Sequence, residues 1–436
     1  MIEKIMKAHR LIALCAVTCF VSACSLTAED SPAARYWAHW RGPTGNSIAP
    51  HAHPPLEWSE SRNVKWKKPL PGRGSGSPVV WEDKVFVVTA VAEEKKGDAK
   101  LASHEFQLYC FDRSTGDVKW KQVAKAAMPH EGSHKDHGFA SASPCTDGER
   151  VYAHFGTRGL FCYDMKGGLI WKKTDFPAMD IMYDFGEGSS PTLYKDVLVV
   201  PGDHEGQSFL LLLDKKTGEE RWRIEHDEPS NWVTPLVVEG GGRAQIITVG
   251  ENFARSYDLA NGEELWRCSG ANRRPVGSPV AGHGLVVVAN GHKGSWMTGL
   301  RLDGKGDITG TDKVAWKLDQ HAPDIASPLL SGRRLFFGKK KGGRLSCHDA
   351  VTGKPYYKAV ETGLSGNVYS SPVAANGHVY FTARDGMTVV IADSEDFKVV
   401  ATNQLDEGVD ATIALVDRQI FVRGEKHLYC IEEAGK

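Results

Sequence analysis

Eight times along this 436-residue chain the same unit recurs, cleanest at Ser189 to Glu225, SSPTLYKDVLVVPGDHEGQSFLLLLDKKTGEERWRIE. Each copy opens on a small residue with Ser/Thr-Pro, runs through alternating apolar residues, and ends on Asp-x-x-Thr-Gly followed by Trp. The openings stand at Ser77-Pro78, Ser143-Pro144, Ser190-Pro191, Thr234-Pro235, Ser278-Pro279, Ser327-Pro328, Ser371-Pro372 and a degenerate Ala411-Thr412, at steps of 66, 47, 44, 44, 49, 44 and 40 residues. A repeat of that length with strand chemistry inside each unit predicts an all-β, eight-bladed β-propeller with four antiparallel strands per blade.

A propeller explains how a chain this long folds as one body, because each blade packs only on its neighbours. Strand chemistry also predicts how the ring closes. Asn63 to Lys67 reads as the fourth strand of a blade whose other three strands lie at the far end, Thr412 to Val416, Gln419 to Arg423 and His427 to Ile431. Pairing them removes both free sheet edges. In the turns, the Asp of Asp112-Arg113-Ser114-Thr115-Gly116, Asp214-Lys215-Lys216-Thr217-Gly218 or Asp258-Leu259-Ala260-Asn261-Gly262 is expected to accept backbone N–H bonds, and Gly116, Gly218 or Gly262 to supply a positive φ. The rings of Trp66, Trp120, Trp171, Trp222, Trp266 and Trp316, with Tyr357 in the seventh unit, are large enough to bridge one blade to the next.

Before the propeller the chain reads as three segments. Residues 1–23 carry Lys4, Lys7 and Arg10 ahead of an apolar run, Leu11 to Phe20, too short to span a bilayer but suited to a secretory signal. It ends in Val21-Ser22-Ala23-Cys24, which resembles the bacterial lipobox. That resemblance implies acylation of Cys24 and, with Ser25 next, an outer-membrane destination facing the periplasm; the alternative is a plain signal with an incidental Cys. Residues 24–35 read as a tether, 36–62 as a Trp/Pro/His-rich leader packed on the propeller, and 63–436 as the propeller itself. Cys110, Cys145, Cys162, Cys268, Cys347 and Cys430 remain. Four of them share one repeat position, a blade-width apart, so they read as buried apolar residues and not as disulfides.

Lys and Arg number 53 against 54 Asp and Glu, which points to no nucleic-acid partner. Lys339-Lys340-Lys341 before Gly342-Gly343 reads as a solvated hairpin tip. Function is expected on the loops between the last strand of one blade and the first of the next, which vary in every unit while the Asp-x-x-Thr-Gly turns repeat one formula. They hold Arg73, Asp184, Glu187, Asn231, Trp232, Arg273, Arg274, His321, Asp324, Asn367, Tyr369 and Asp410, a mixture suited to a peptide, a protein or a polar small ligand. One also holds His130-Glu131-Gly132-Ser133-His134, an H-E-x-x-H pattern. Such a pattern binds zinc when a helix sets both imidazoles on one face, yet here Pro129 and Gly132 stand in a strand-rich context. His130, His134 and His137 are the residues expected to hold a metal if one binds. Asp303-Gly304-Lys305-Gly306-Asp307 reads as a turn or a Ca²⁺ loop.

The motif Asp-x-x-Thr-Gly-x-Glu/Val-x-Trp, most complete at Asp214 to Trp222 and Asp112 to Trp120, resembles the tryptophan-docking motif of the pyrroloquinoline-quinone-like propellers. These include the quinoprotein dehydrogenases and the BamB-like envelope lipoproteins. The first group implies a quinone (PQQ) held with Ca²⁺ on the axis, beneath a ring of two adjacent cysteines; no Cys-Cys occurs here. The second implies a monomeric, lipid-anchored protein that binds an envelope protein or peptide, without cofactor or catalysis. This is the expected function, with the PQQ/Ca-dependent dehydrogenase as the alternative and a metal-dependent hydrolase using His130, Glu131 and His134 as the third.

Overall fold

The computed structural model describes residues 32–94, 101–271, 273–291 and 294–434. Residues 1–31, with the signal, Cys24 and most of the tether, lie outside them. The described residues form eight sheets arranged as blades, with helical geometry confined to short 3₁₀ turns such as Gly156–Arg158. A representative blade, the third, runs Thr192–Tyr194 (strand A), Val197–Gly202 (B), Ser208–Asp214 (C) and Glu220–His226 (D), each antiparallel to the next.

Burial explains the sequence pattern. Strands B and C are covered on both faces by neighbouring blades, so Val197–Gly202 and Ser208–Leu213 are buried throughout and can be continuously apolar. Strand D faces outward and alternates exposed with half-buried residues. The apolar clusters accordingly sit between blades: one joins Phe86, Leu108 and Cys110 of blade 1 to Val151 and Phe161 of blade 2. All six described cysteines are free and buried.

Ring closure is by Val64–Pro69, which pairs antiparallel with His427–Glu432 and makes the outer strand of blade 8. One blade departs from four strands. In blade 5 the C-to-D connection is long, and its Gly306–Asp307 pairs parallel with Glu264–Ser269 of blade 4 as a fifth strand. This is the segment read as a turn or Ca²⁺ loop. Asp303 is paired with Lys313 at 2.8 Å, and Asp307 accepts the N–H of Thr309 at 3.0 Å.

The tryptophans dock as their size suggests. The indole N–H of Trp66 donates to Arg113 O (3.1 Å), that of Trp120 to Met165 O (3.2 Å), Trp171 to Lys215 O (3.1 Å), Trp222 to Leu259 O (3.1 Å) and Trp316 to Ala350 O (2.8 Å). Each acceptor lies in the C-to-D turn of the following blade. The turn glycine serves twice: Gly218 has φ +75°, and a Cβ there would stand 2.6 Å from the Trp171 ring. Trp266 faces the irregular blade 5 turn instead, and its buried indole N–H has no partner among the described residues. Tyr357 packs edge-on against Phe397 at 5.5 Å.

Residues 36–62 do more than lie against the barrel. Trp37 and Trp58 are buried with the core of blades 7, 8 and 1. Ala38 O accepts Thr146 N (3.0 Å) of blade 2, and the Arg41 guanidinium donates to Pro328 O of blade 6, directly opposite. Trp37 pairs with Val80 of blade 1, and Asn46 exchanges bonds of 2.8 and 3.0 Å with Ala281 of blade 5. The segment therefore crosses the propeller axis and closes one end of it.

Candidate functional site

The axis is built on a closed belt of hydroxyls. The innermost strand of a blade has no neighbour on its inner edge, so its first N–H needs another acceptor. Ser77 N–H donates to Ser143 Oγ (2.8 Å), Ser143 to Ser190 (2.9 Å), Ser190 to Thr234 (3.1 Å) and Thr234 to Ser278 (2.9 Å). Ser278 donates to Ser327 (2.9 Å), Ser327 to Ser371 (2.9 Å), Ser371 to Thr412 (3.0 Å), and Thr412 back to Ser77 (3.0 Å). In seven of the eight units proline follows the hydroxyl residue, and it brings no further N–H to satisfy. The Ser/Thr-Pro opening of each repeat is this belt.

Above the belt lies a cavity of about 670 Å³, floored by Trp40 of the leader and open at the other end. Its wall comes from the D-to-A loops and, because antiparallel strands return the chain to the same face, from the B-to-C turns as well. The wall includes His134, Asp136, His137, Phe185, Trp232, Arg274, Asp324, Lys340, Tyr369 and Asp410. Aromatic contacts hold one side: Trp232 Nε1 donates to Gly186 O (2.7 Å), Phe185 packs on Trp232 at 6.2 Å and on His134 at 5.0 Å, and the Arg274 guanidinium lies 4.6 Å from the Tyr183 ring centre. Tyr183, Asp184 and Arg274 all have positive φ, 57°, 52° and 61°, so the chain turns sharply at each. Tyr183 is 68% exposed at the rim.

The carboxylates of the wall are all committed. Arg384 reaches Asp410 (2.5 Å) and Asp136 (3.2 Å), and Lys339 reaches Asp324 (3.1 Å). Burial opposes ionisation of Asp136, but Arg384 prevails and holds it below the ordinary carboxylate range; for Asp410 burial prevails and the carboxyl is raised. Burial pushes the His137 imidazole down to about 4, so it is neutral at physiological pH.

Of the residues expected to bind, Trp232, Arg274, Asp324, Tyr369 and Asp410 stand on this wall. Arg73 is exposed and donates to Lys135 O (2.9 Å). Asp184 is exposed at its loop tip, and Arg273 faces Glu251 at 3.5 Å. Glu187 and Asn231 turn inward, to Arg158 (2.7 Å) and Asp203 (2.5 Å). His321 and Asn367 are half-buried off the wall. The three histidines are not brought together. The His130–His134 segment is not helical, and the side chains whose ligand atoms fall within 4.8 Å of one another are His130, Glu131 and Asp180. His134 and His137 face the cavity instead.

The lysine run corrects an expectation. Lys341 is exposed, but Lys339 is ion-paired and Lys340 lies 4.9 Å over the Tyr369 ring on the wall. Arg384 and Lys340 could have been found by strand parity, since B-to-C turns share the face of the D-to-A loops. Trp40, in the unrepeated leader, gave no such signal. Beside the funnel a narrow cleft of about 30 Å³ is lined by Glu131, Arg158, His154 and Glu187. Burial pushes both Glu131 and Glu187 up to about 7.

Residues 57–174, 97–305 and 304–436 match the family described as outer membrane protein assembly factor BamB. The chain belongs to this family. Its fold is shared by BamB from Moraxella catarrhalis, at 11% identity and a TM-score of 0.56, over 86% of this chain and 98% of that one. It is shared equally by enzymes. Quinohemoprotein alcohol dehydrogenase from Comamonas testosteroni aligns at 11% identity and TM-score 0.63 over 92% of this chain and 81% of its own; a europium-containing methanol dehydrogenase aligns at 12% and 0.60 over 90% of each. No curated protein sequence matches. Membership of the BamB family and the propeller fold are thus common ground, and the wall of the funnel has to speak for function.

Proposed function

We propose that this protein is a non-catalytic scaffold of the cell envelope that captures a protein or peptide partner at the open mouth of its axial funnel. The observation that carries the reading is the combination of a blind cavity with a wall of unrepeated aromatic and charged side chains, in which every carboxylate is already neutralised by a neighbour. Such a wall suits binding: its carboxylates are tied up in ion pairs and are not free to act as bases. Family membership supports the same reading, since the family is described as an assembly factor. By the lipobox resemblance the chain is anchored through Cys24, with the propeller in the periplasm.

A quinone held with Ca²⁺ needs a cluster of free oxygen ligands beside the axis. Here Asp136, Asp324 and Asp410 are paired to Arg384 and Lys339, the one three-residue ligand group among the described residues lies off the funnel wall, and no cysteine pair is present to roof the ring. The residues do not fit that group. Nor does the His130–His134 segment provide the helix that a zinc hydrolase motif requires.

The test is capture from detergent-solubilised envelope by the purified full-length protein. Trp232→Ala is expected to lose the partner, as a central aromatic anchor costs about 2 kcal/mol or more on truncation. Retention of the partner by Trp232→Ala, or a rise in melting temperature on adding quinone with Ca²⁺ that Trp232→Ala abolishes, would favour the enzyme.

A further inference from the structure

The funnel is blind and its charge is lopsided, and together these select one kind of occupant. The leader crosses the axis between blades 2 and 6 within four residues, so nothing threads through; what reaches the Trp40 floor must end there. Each wall carboxylate has a cation, but the converse does not hold. Arg274 and Lys340 have no carboxylate in ion-pair reach among the described residues, and are seated over Tyr183 and Tyr369 instead.

Two further guanidinium groups are buried behind the lining, Arg41 against the floor residue Trp40 and Arg423 against blade 1. Arg41, 2% exposed, stacks 5.2 Å from Trp40, and its Nε and Nη1 have no partner among the described residues. Arg423, 3% exposed, donates to the carbonyls of Gly76 and Val88 and has no carboxylate partner among the described residues. Burial pushes both down, yet only to about 9, so both are cations at neutral pH. Buried charges without counter-ions behind low-dielectric walls focus their field into the cleft, so the funnel attracts anions.

Resting on the reading of the funnel as a partner-binding mouth, we propose that the occupant is the C-terminal end of a partner chain, its α-carboxylate drawn in by Arg274 and Lys340 and its last side chains packed on Trp232, Phe185 and Tyr369. A chain end is the one part of a polypeptide that combines a narrow cross-section, a dead stop and a negative charge independent of sequence. An internal loop would have to bring an acidic side chain and double back within the cavity. Capture of a terminal carboxylate in a cationic site is a recurrent mode of peptide recognition.

The test is a bead-bound random hexapeptide library made twice, with free C-terminal carboxylates and with amides, probed with the full chain in detergent. The free-acid library is expected to yield binders, and amidation of the best to weaken it by about tenfold or more, as a charge-assisted hydrogen-bond pair is lost. Arg274→Gln and Lys340→Gln should each weaken the acid more than the amide and so narrow the acid–amide difference. The acid–amide comparison needs no variant, so a misfolded mutant cannot blunt it. Equal affinity for acid and amide overturns the chain-end proposal while leaving the mouth as the binding surface. No binder from either library overturns it too; if a crosslinker at Tyr183 then also traps no partner in cells, the partner-binding reading falls with it.

Discussion

Gly218 shows at the scale of one residue why the repeat is so regular. Its φ of +75° and the Trp171 ring 2.6 Å from any added Cβ are independent demands, and only glycine meets both. Gly218→Ala is expected to lose about 2–4 kcal/mol, read as a lower melting temperature with an unchanged circular dichroism spectrum; a loss below about 1 kcal/mol would mean the blades dock by other contacts. This much was legible, because Asp-x-x-Thr-Gly and Trp recur at fixed spacing. The partner of each Ser/Thr hydroxyl was not, since it lies one blade away. Glu131 makes a different kind of case. Its Oε1 is buried without a partner among the described residues, and burial raises its folded pKa from 4.5 to about 7. The folded chain then holds a proton that the unfolded chain releases near 4.5, so this contribution to stability is full below about pH 4.5 and lost as pH rises towards 7. Glu131→Gln does not titrate. Its stability relative to wild type should rise between pH 5 and pH 8, by about 1 kcal/mol once solvent screening of a partly exposed group is allowed for. A difference flat with pH would contradict the burial assigned to Glu131.

Two elements lie outside the repeat, and they differed in how well they could be read. The closing strand was visible because Asn63 to Lys67 carries the Trp66 of a blade with no other strands nearby, and Val64–Pro69 does pair with His427–Glu432. Its removal would bare the edge of His427–Glu432 and the Trp66 dock on Arg113, so a chain lacking residues 63–69 is expected to unfold over a broad, non-cooperative transition and to aggregate. A sharp, unshifted melting curve would exclude closure by this strand. The axial course of the leader could not be read from its composition. Its contacts to Val80, Thr146, Ala281 and Pro328 come from four different blades, and nothing in residues 36–48 repeats to announce them. The lysine run was misread for a related reason: composition marks Lys339 to Lys341 as solvated, whereas only the alternation of strands places Lys340 over Tyr369.

At the scale of the whole molecule, eight blades close into a ring whose two ends have opposite fates. One end carries the repeated turns and is closed by the leader; the other gathers the loops in which the blades differ and leaves a funnel of about 670 Å³. Site-specific crosslinking in intact cells reads that asymmetry out. A photoreactive residue is placed at Tyr183, on the rim, and in a second chain at Lys216, exposed on the repeated-turn face. Discrete partner adducts from Tyr183, weakened by Arg274→Gln in the same chain and absent from Lys216, are the expected result. Adducts from Lys216 and none from Tyr183 would contradict the account.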